Sequence, residues 1–213
     1  PLTAENDFLP DLDAIPEETA RRAKFIYINY PNNPTGAVAT KAFYEKLVAW
    51  AKTYEVGVVS DLAYGALGYQ GYENPSFLST PGAKDVGIEF YTFSKTFNMA
   101  GWRLAFAAGN EQMIEALNLI QDHLFVGIFP ALQEAGIAAL LDPKSEEAVA
   151  QLNETYDSRR DAFVQAAAKI GWQAFPSRGS FYAWMPVPEG YTSESFADLL
   201  LEKAHVAVAP GKG

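Results

Sequence analysis

The chain has 213 residues, 49% of them hydrophobic and 20% charged. These are ordinary proportions for a soluble protein of one to two domains at ~150 residues each, and they exclude a disordered tail, a collagen-like repeat and a stapled mini-protein. Its 16 basic and 26 acidic side chains leave a net charge of -10, with no cysteine. That balance argues against nucleic-acid or membrane-surface partners, and the missing thiols exclude disulfides, a cysteine nucleophile and Cys-bound zinc. No apolar run approaches the ~18 residues of a membrane span and no signal-peptide pattern is visible. The chain starts at Pro1, so we expect a cytoplasmic piece of a larger protein.

Residues 24–30 form a short β-rich run that ends in the turn-forming Pro31-Asn32-Asn33-Pro34-Thr35-Gly36. A helix follows, N-capped by Thr40, with Phe43, Leu47, Trp50 and Tyr54 along one stripe. Strands are expected at 56–60, 88–93 and 103–108, then helices at 111–124 and 130–141. Strands separated by helices and loops predict an α/β layer with a largely parallel sheet. Val149, Leu152, Tyr156, Phe163, Ala167 and Ile170 then keep helical spacing, long enough to bridge two domains. Beyond them, strands are expected at 172–175 and 180–185 around a Pro-Ser-Arg-Gly turn, a helix at 193–203 and a last strand at 206–209. The reading places a domain boundary near residue 155, with α+β character after it.

Asn33, Asp61 and Lys95 all stand where the chain leaves an expected strand. Ligands of open α/β sheets sit outside the carboxyl ends of the strands, so parallel neighbours would gather an amide, a carboxylate and an amine at one crevice. An amine that loses solvation there becomes a nucleophile toward carbonyls. Around it run Thr92, Ser94, Gly101 and Arg103. Hydroxyls plus a planar guanidinium suit a phosphate dianion, and a lysine beside a phosphate site implies a phosphorylated carbonyl compound such as pyridoxal phosphate. Each residue also has a plainer reading: Lys95 as a surface lysine, Asp61 as a helix N-cap, Tyr64 as core, Asn33 as a turn former, Arg103 as an ion-pair partner and Ser94 as structural. His123 and His205 stand alone, without partners at metal spacing, so no metal site is expected.

The segment Thr92-Phe93-Ser94-Lys95 through Gly101-Trp102-Arg103, preceded by Asn32-Asn33-Pro34-Thr35-Gly36 and by Asp61-Leu62-Ala63-Tyr64, resembles the pyridoxal-phosphate aminotransferases of fold type I, class I/II. The likeness runs along the whole chain to Ala207–Gly211. Its nearest resemblance is to the methionine-salvage and LL-diaminopimelate-type aminotransferases. The resemblance implies residues 1–155 as the C-terminal part of a large, mainly parallel-sheet domain with the start of a bridging helix, and 156–213 as part of a small α+β domain. It also implies a homodimer and amino-acid and 2-oxo-acid substrates.

Lys95 would then hold pyridoxal 5'-phosphate as a Schiff base and shuttle a proton. Asp61 would pair with the ring nitrogen, Tyr64 and Asn33 would bond the ring oxygen, and Thr92, Ser94 and Arg103 would hold the phosphate. Phe181 and Tyr182 resemble a small-domain strand facing the substrate entrance, a remote prospect for a substrate role. The family's substrate-carboxylate arginine and its N-terminal part are expected outside this chain, which alone is expected to be inactive. Two rivals share these residues or this fold: a carbon-sulfur lyase or synthase, and the ligand-sensing domain of a transcription regulator.

Overall fold

The computed structural model describes residues 1–175 and 177–212. A four-stranded sheet, β1 (Phe25–Asn29), β2 (Gly57–Asp61), β3 (Gly87–Thr92) and β4 (Ala105–Gly109), runs in the order β1-β2-β3-β4. The first three strands are parallel and β4 is antiparallel to β3, so the expected largely parallel α/β layer forms. Register pairs Tyr27 with Val59 and Asn29 with Asp61, while Ser60 faces Glu89. Side chains alternate across a sheet; one face therefore carries Asn29, Asp61, Phe90 and Thr92, and the other carries Ile28, Val58, Ser60 and Glu89.

The second face is the core. Helix α1 (Glu17–Arg22) leads into β1, and α2 (Lys41–Tyr54) crosses from β1 to β2. Thr40 caps α2 as expected, its Oγ1 accepting from Phe43 N at 3.1 Å, and the helix ends at Glu55 in the left-handed region. The buried stripe is Phe43, Tyr44, Leu47, Val48 and Ala51. It is centred one position away from the expected one, so Trp50 and Tyr54 lie half-buried at its margin with their rings 5.3 Å apart. Leu12, Ile28, Tyr30, Val58 and Phe77 complete this core, each contributing about 1.5–3 kcal/mol by leaving water. Glu89 is buried there as a satisfied carboxylate. It accepts from Ser60 Oγ, Ser76 Oγ and the Phe77 amide.

Short helices α3 (Ala83–Val86) and α4 (Phe93–Thr96) flank β3. Longer ones follow: α5 (Glu111–Leu124), α6 (Pro130–Leu141), α7 (Ser145–Lys169) and α8 (Ser193–Ala204), close to the expected spans. Asn110 caps α5 and a Thr192–Ser195 capping box opens α8. Residue 155 falls inside α7.

The strands expected at 172–175, 180–185 and 206–209 do not form among the described residues, and Pro176 of the expected turn lies outside them. Their extended segments meet through Phe175 N–H donating to Trp184 O at 3.0 Å, and Gly179 makes an isolated bridge to Gly68. An extended segment becomes a strand only when a ladder satisfies its backbone groups, and one bond is not a ladder.

Candidate active site

The three parallel strands end side by side at Asn29, Asp61 and Thr92. Asn29 ties two of these ends together. Its Nδ2 donates to the Asp61 carbonyl at 3.0 Å and its Oδ1 accepts from the Asn33 amide at 2.8 Å. Asn32 is buried in the following turn, its Oδ1 accepting from Thr35 Oγ1 at 2.7 Å, which leaves the Asn33 side chain exposed. A cavity of about 420 Å³ opens along this face, lined by Tyr27, Asn29, Asn32, Val59 and Asp61 among others. Asp61 is exposed, and its Oδ1 accepts from the Ala63 amide at 3.0 Å. No helix follows Asp61, so the helix N-cap reading fails; this oxygen closes a local turn instead.

Lys95 rises from α4, one turn after β3. Phe93 and Thr96 point into the core and leave Ser94 and Lys95 half-buried on the opposite side. Lys95 Nζ stands 5.8 Å from the centroid of Tyr64 and 5.1 Å from that of Phe181, and it joins no salt bridge among the described residues. An amine facing two aromatic rings is drawn to them by cation–π attraction.

Tyr64 is 4% exposed. Its hydroxyl donates to Tyr182 Oη at 3.4 Å, and the rings of Tyr64 and Phe181 meet edge to face at 5.3 Å. Burial, then the Tyr182 hydrogen bond and the Asp61 charge, push the Tyr64 phenol well above the ordinary tyrosine range. The Asp61 charge thus acts at the group that touches Lys95. Tyr156 of α7 backs Phe181 at 5.4 Å.

The expected phosphate residues are placed differently. Thr92 caps α4, its Oγ1 accepting from Ser94 N at 3.1 Å while donating to Leu104 O at 3.3 Å. Ser94 Oγ makes no hydrogen bond among the described residues. Arg103 is exposed, left-handed at φ 53, and donates from Nη1 to Ala100 O at 2.9 Å. Asn98, at the other end of the same turn, is also left-handed at φ 53, a conformation asparagine adopts more readily than most non-glycine residues. A Cβ added to Gly101 would meet no described atom within 4 Å, so this turn keeps open space beside its donors.

The structure therefore joins Lys95 to Tyr64 directly, and Asp61 to Asn33 through Asn29. It brings in Asn29, Phe181 and Tyr182, of which the sequence reading missed Asn29 and set the aromatic pair aside. The only signal for Asn29 is a polar residue closing an apolar strand. That for Phe181 and Tyr182 is an aromatic run after Gly179-Ser180.

A phosphorylated aromatic aldehyde fits this donor set: a free amine, an aromatic wall, a carboxylate, and hydroxyl and guanidinium donors around an open turn. The family profile described as Aminotransferase class I and II matches residues 1–213. The chain belongs to that family. L-glutamine--4-(methylsulfanyl)-2-oxobutanoate aminotransferase of Bacillus subtilis (strain 168) is 56% identical over 213 residues, which are 100% of this chain and 53% of that protein. LL-diaminopimelate aminotransferase of Moorella thermoacetica is 52% identical, over 100% and 54%. The substrate-bound structure of BacF from Bacillus subtilis superposes with a TM-score of 0.95 at 48% identity, covering 100% of this chain and 54% of that one. The resemblance to these two groups and to fold type I is borne out. The chain spans about half the length of the relatives it matches.

Proposed function

We propose that the protein to which this chain belongs moves an amino group from an amino acid to a 2-oxo acid, with pyridoxal 5'-phosphate held covalently at Lys95. The observation that carries this reading is the Lys95 amine poised 5.1 Å from Phe181 and 5.8 Å from Tyr64, within a chain of this family. When bound, the cofactor supplies an electron sink conjugated to the substrate α-carbon.

This chain's residues do the rest. Displaced by the substrate's amino group, the freed Lys95 Nζ would move the proton from the substrate α-carbon. The Asp61 carboxylate keeps a proton on the ring nitrogen, using the oxygen that Ala63 leaves free. Asn33 and Tyr64 donate to the ring oxygen, and the aromatic wall of Tyr64 and Phe181 excludes water from the amine. Arg103 and Ser94 hold the phosphate, and Thr92 joins them when its hydroxyl proton leaves the Leu104 carbonyl.

On the same reading residues 1–155 belong to the larger domain and 156–213 to the smaller, with α7 as the bridge. The full-length protein is a cytoplasmic homodimer, and the residues of this chain alone do not turn over substrate.

The test is made on the full-length protein with cofactor, an amino acid and an added 2-oxo acid. The expected product is the added oxo acid carrying the amino group, with Lys95→Ala at least ~10³-fold slower. Release of ammonia in place of that product would assign the site to a lyase.

A further inference from the structure

Phe181 stands at Lys95 and Tyr182 at Tyr64 because the segment before them is laced to the loops that carry Asn33 and Tyr64. The amides of Arg178 and Gly179 donate to Gly36 O at 3.2 and 3.4 Å, Tyr69 N–H donates to Arg178 O at 3.0 Å, and Ser180 N–H donates to Leu67 O at 3.2 Å. The Tyr69 hydroxyl donates to Ser180 O. Ser180 itself is fully buried and left-handed at φ 61. Gly36 is left-handed at φ 71, and a Cβ there would collide with Ser177, so the lacing requires glycine. A strip fixed at this many points gives Tyr182 one position over Tyr64.

Tyr64 donates its single proton to Tyr182 across 3.4 Å, long for a hydroxyl pair. A contact of that length yields readily to a charged acceptor, because charge-assisted hydrogen bonds are roughly twice as strong. Asp61, Lys95 and Tyr182 are the titratable groups that face Tyr64.

We infer that Tyr182 is a positioning residue: it holds the Tyr64 hydroxyl at the crevice, and becomes the donor to Tyr64 once that hydroxyl turns its proton to the ring oxygen of the cofactor. This rests on the cofactor reading above. A donor behind a donor polarises it, so Tyr182 strengthens the bond Tyr64 makes without touching the ligand.

The experiment follows the pH midpoint of the cofactor's visible absorption band in the full-length holoenzyme. Tyr64→Phe is expected to raise that midpoint by about one unit, and Tyr182→Phe by about half a unit, roughly a threefold change in the proton equilibrium. The double variant is expected to move no further than Tyr64→Phe, because Tyr182 acts through Tyr64. An unmoved midpoint in Tyr182→Phe, or additive shifts, would overturn the inference. Tyr182→His, which keeps a hydrogen-bonding atom on a ring, is expected to fall between wild type and Tyr182→Phe; no recovery counts against the inference too. In the cofactor-free protein, the ζ-carbon resonance of labelled Tyr64 is expected to shift in Tyr182→Phe. A protein without any cofactor band would defeat the cofactor reading, while an unshifted Tyr64 resonance would defeat the pairing itself.

Discussion

The part of the chain up to Leu104 and the part beyond it use the same apolar vocabulary with opposite results. In the first, Leu12, Phe43, Tyr44, Leu47, Val58 and Phe77 close around one face of the sheet. Beyond Leu104, only Ala167 and Ala197 are buried hydrophobics among the described residues, and Leu124, Phe125, Val126, Phe129 and Leu141 stand exposed, Val126 at 85%. Helix α6 is apolar nearly all round and buries only Gly136, against Leu104 and Phe93. A cavity of about 680 Å³ between Phe163, Trp172, Trp184, Phe196 and Leu200 stays open. An apolar residue contributes only as much as what covers it. The candidate site lies at the seam, where the laced strip from Ser177 to Tyr182 brings the second region onto the first.

The contrast between the two regions is tested first by a matched pair of side-chain truncations in the 213-residue chain. Leu47→Ala, at a fully buried position, is expected to lower unfolding stability by about 2–5 kcal/mol. Leu141→Ala, at 76% exposure, is expected to change it by no more than about 0.5 kcal/mol. Denaturant titration of both variants decides the point; equal losses would erase the contrast.

Next in size is the buried carboxylate. Glu89→Gln replaces two acceptor oxygens with one, so a donor among Ser60, Ser76 and Phe77 loses its partner. The expected loss is about 1–3 kcal/mol by the same titration.

The smallest effect is a pH dependence confined to the alkaline side. Burial raises the phenols of Tyr30, Tyr44 and Tyr64 above the ordinary range and pushes Tyr69 up to about 12. A raised acid holds a proton in the folded state that the unfolded chain gives up. Their contribution is therefore complete below the ordinary value of 10.0 and declines as pH climbs toward about 12 for Tyr69. Thermal midpoints taken upward from pH 9 should fall past pH ~10, and less steeply in Tyr69→Phe.

What could be read from the sequence divides along the same seam. The strands at 25–29, 57–61 and 87–92 and the cap Thr40 were legible because each rests on local signals: β-rich runs, turn residues and a capping side chain. The end-of-strand positions of Asn33, Asp61 and Lys95 were legible for the same reason. Extended segments near Trp172 and Ala183 carry strand-like composition too, yet lack the neighbours that would make a ladder, and local composition holds no record of a missing neighbour. The contact of Tyr64 with Tyr182 joins residues 118 apart. The lacing of Gly36, Leu67 and Tyr69 to residues 178–180 brings the two together.

On the proposed function, the crevice at the strand ends takes pyridoxal phosphate on one particular amine. Adding the cofactor to the full-length protein, reducing with borohydride and mapping the labelled peptide by mass spectrometry tests it most directly. The expected result is a phosphopyridoxyl group on Lys95, lost in Lys95→Ala. No label, or a label on a different lysine, would contradict it.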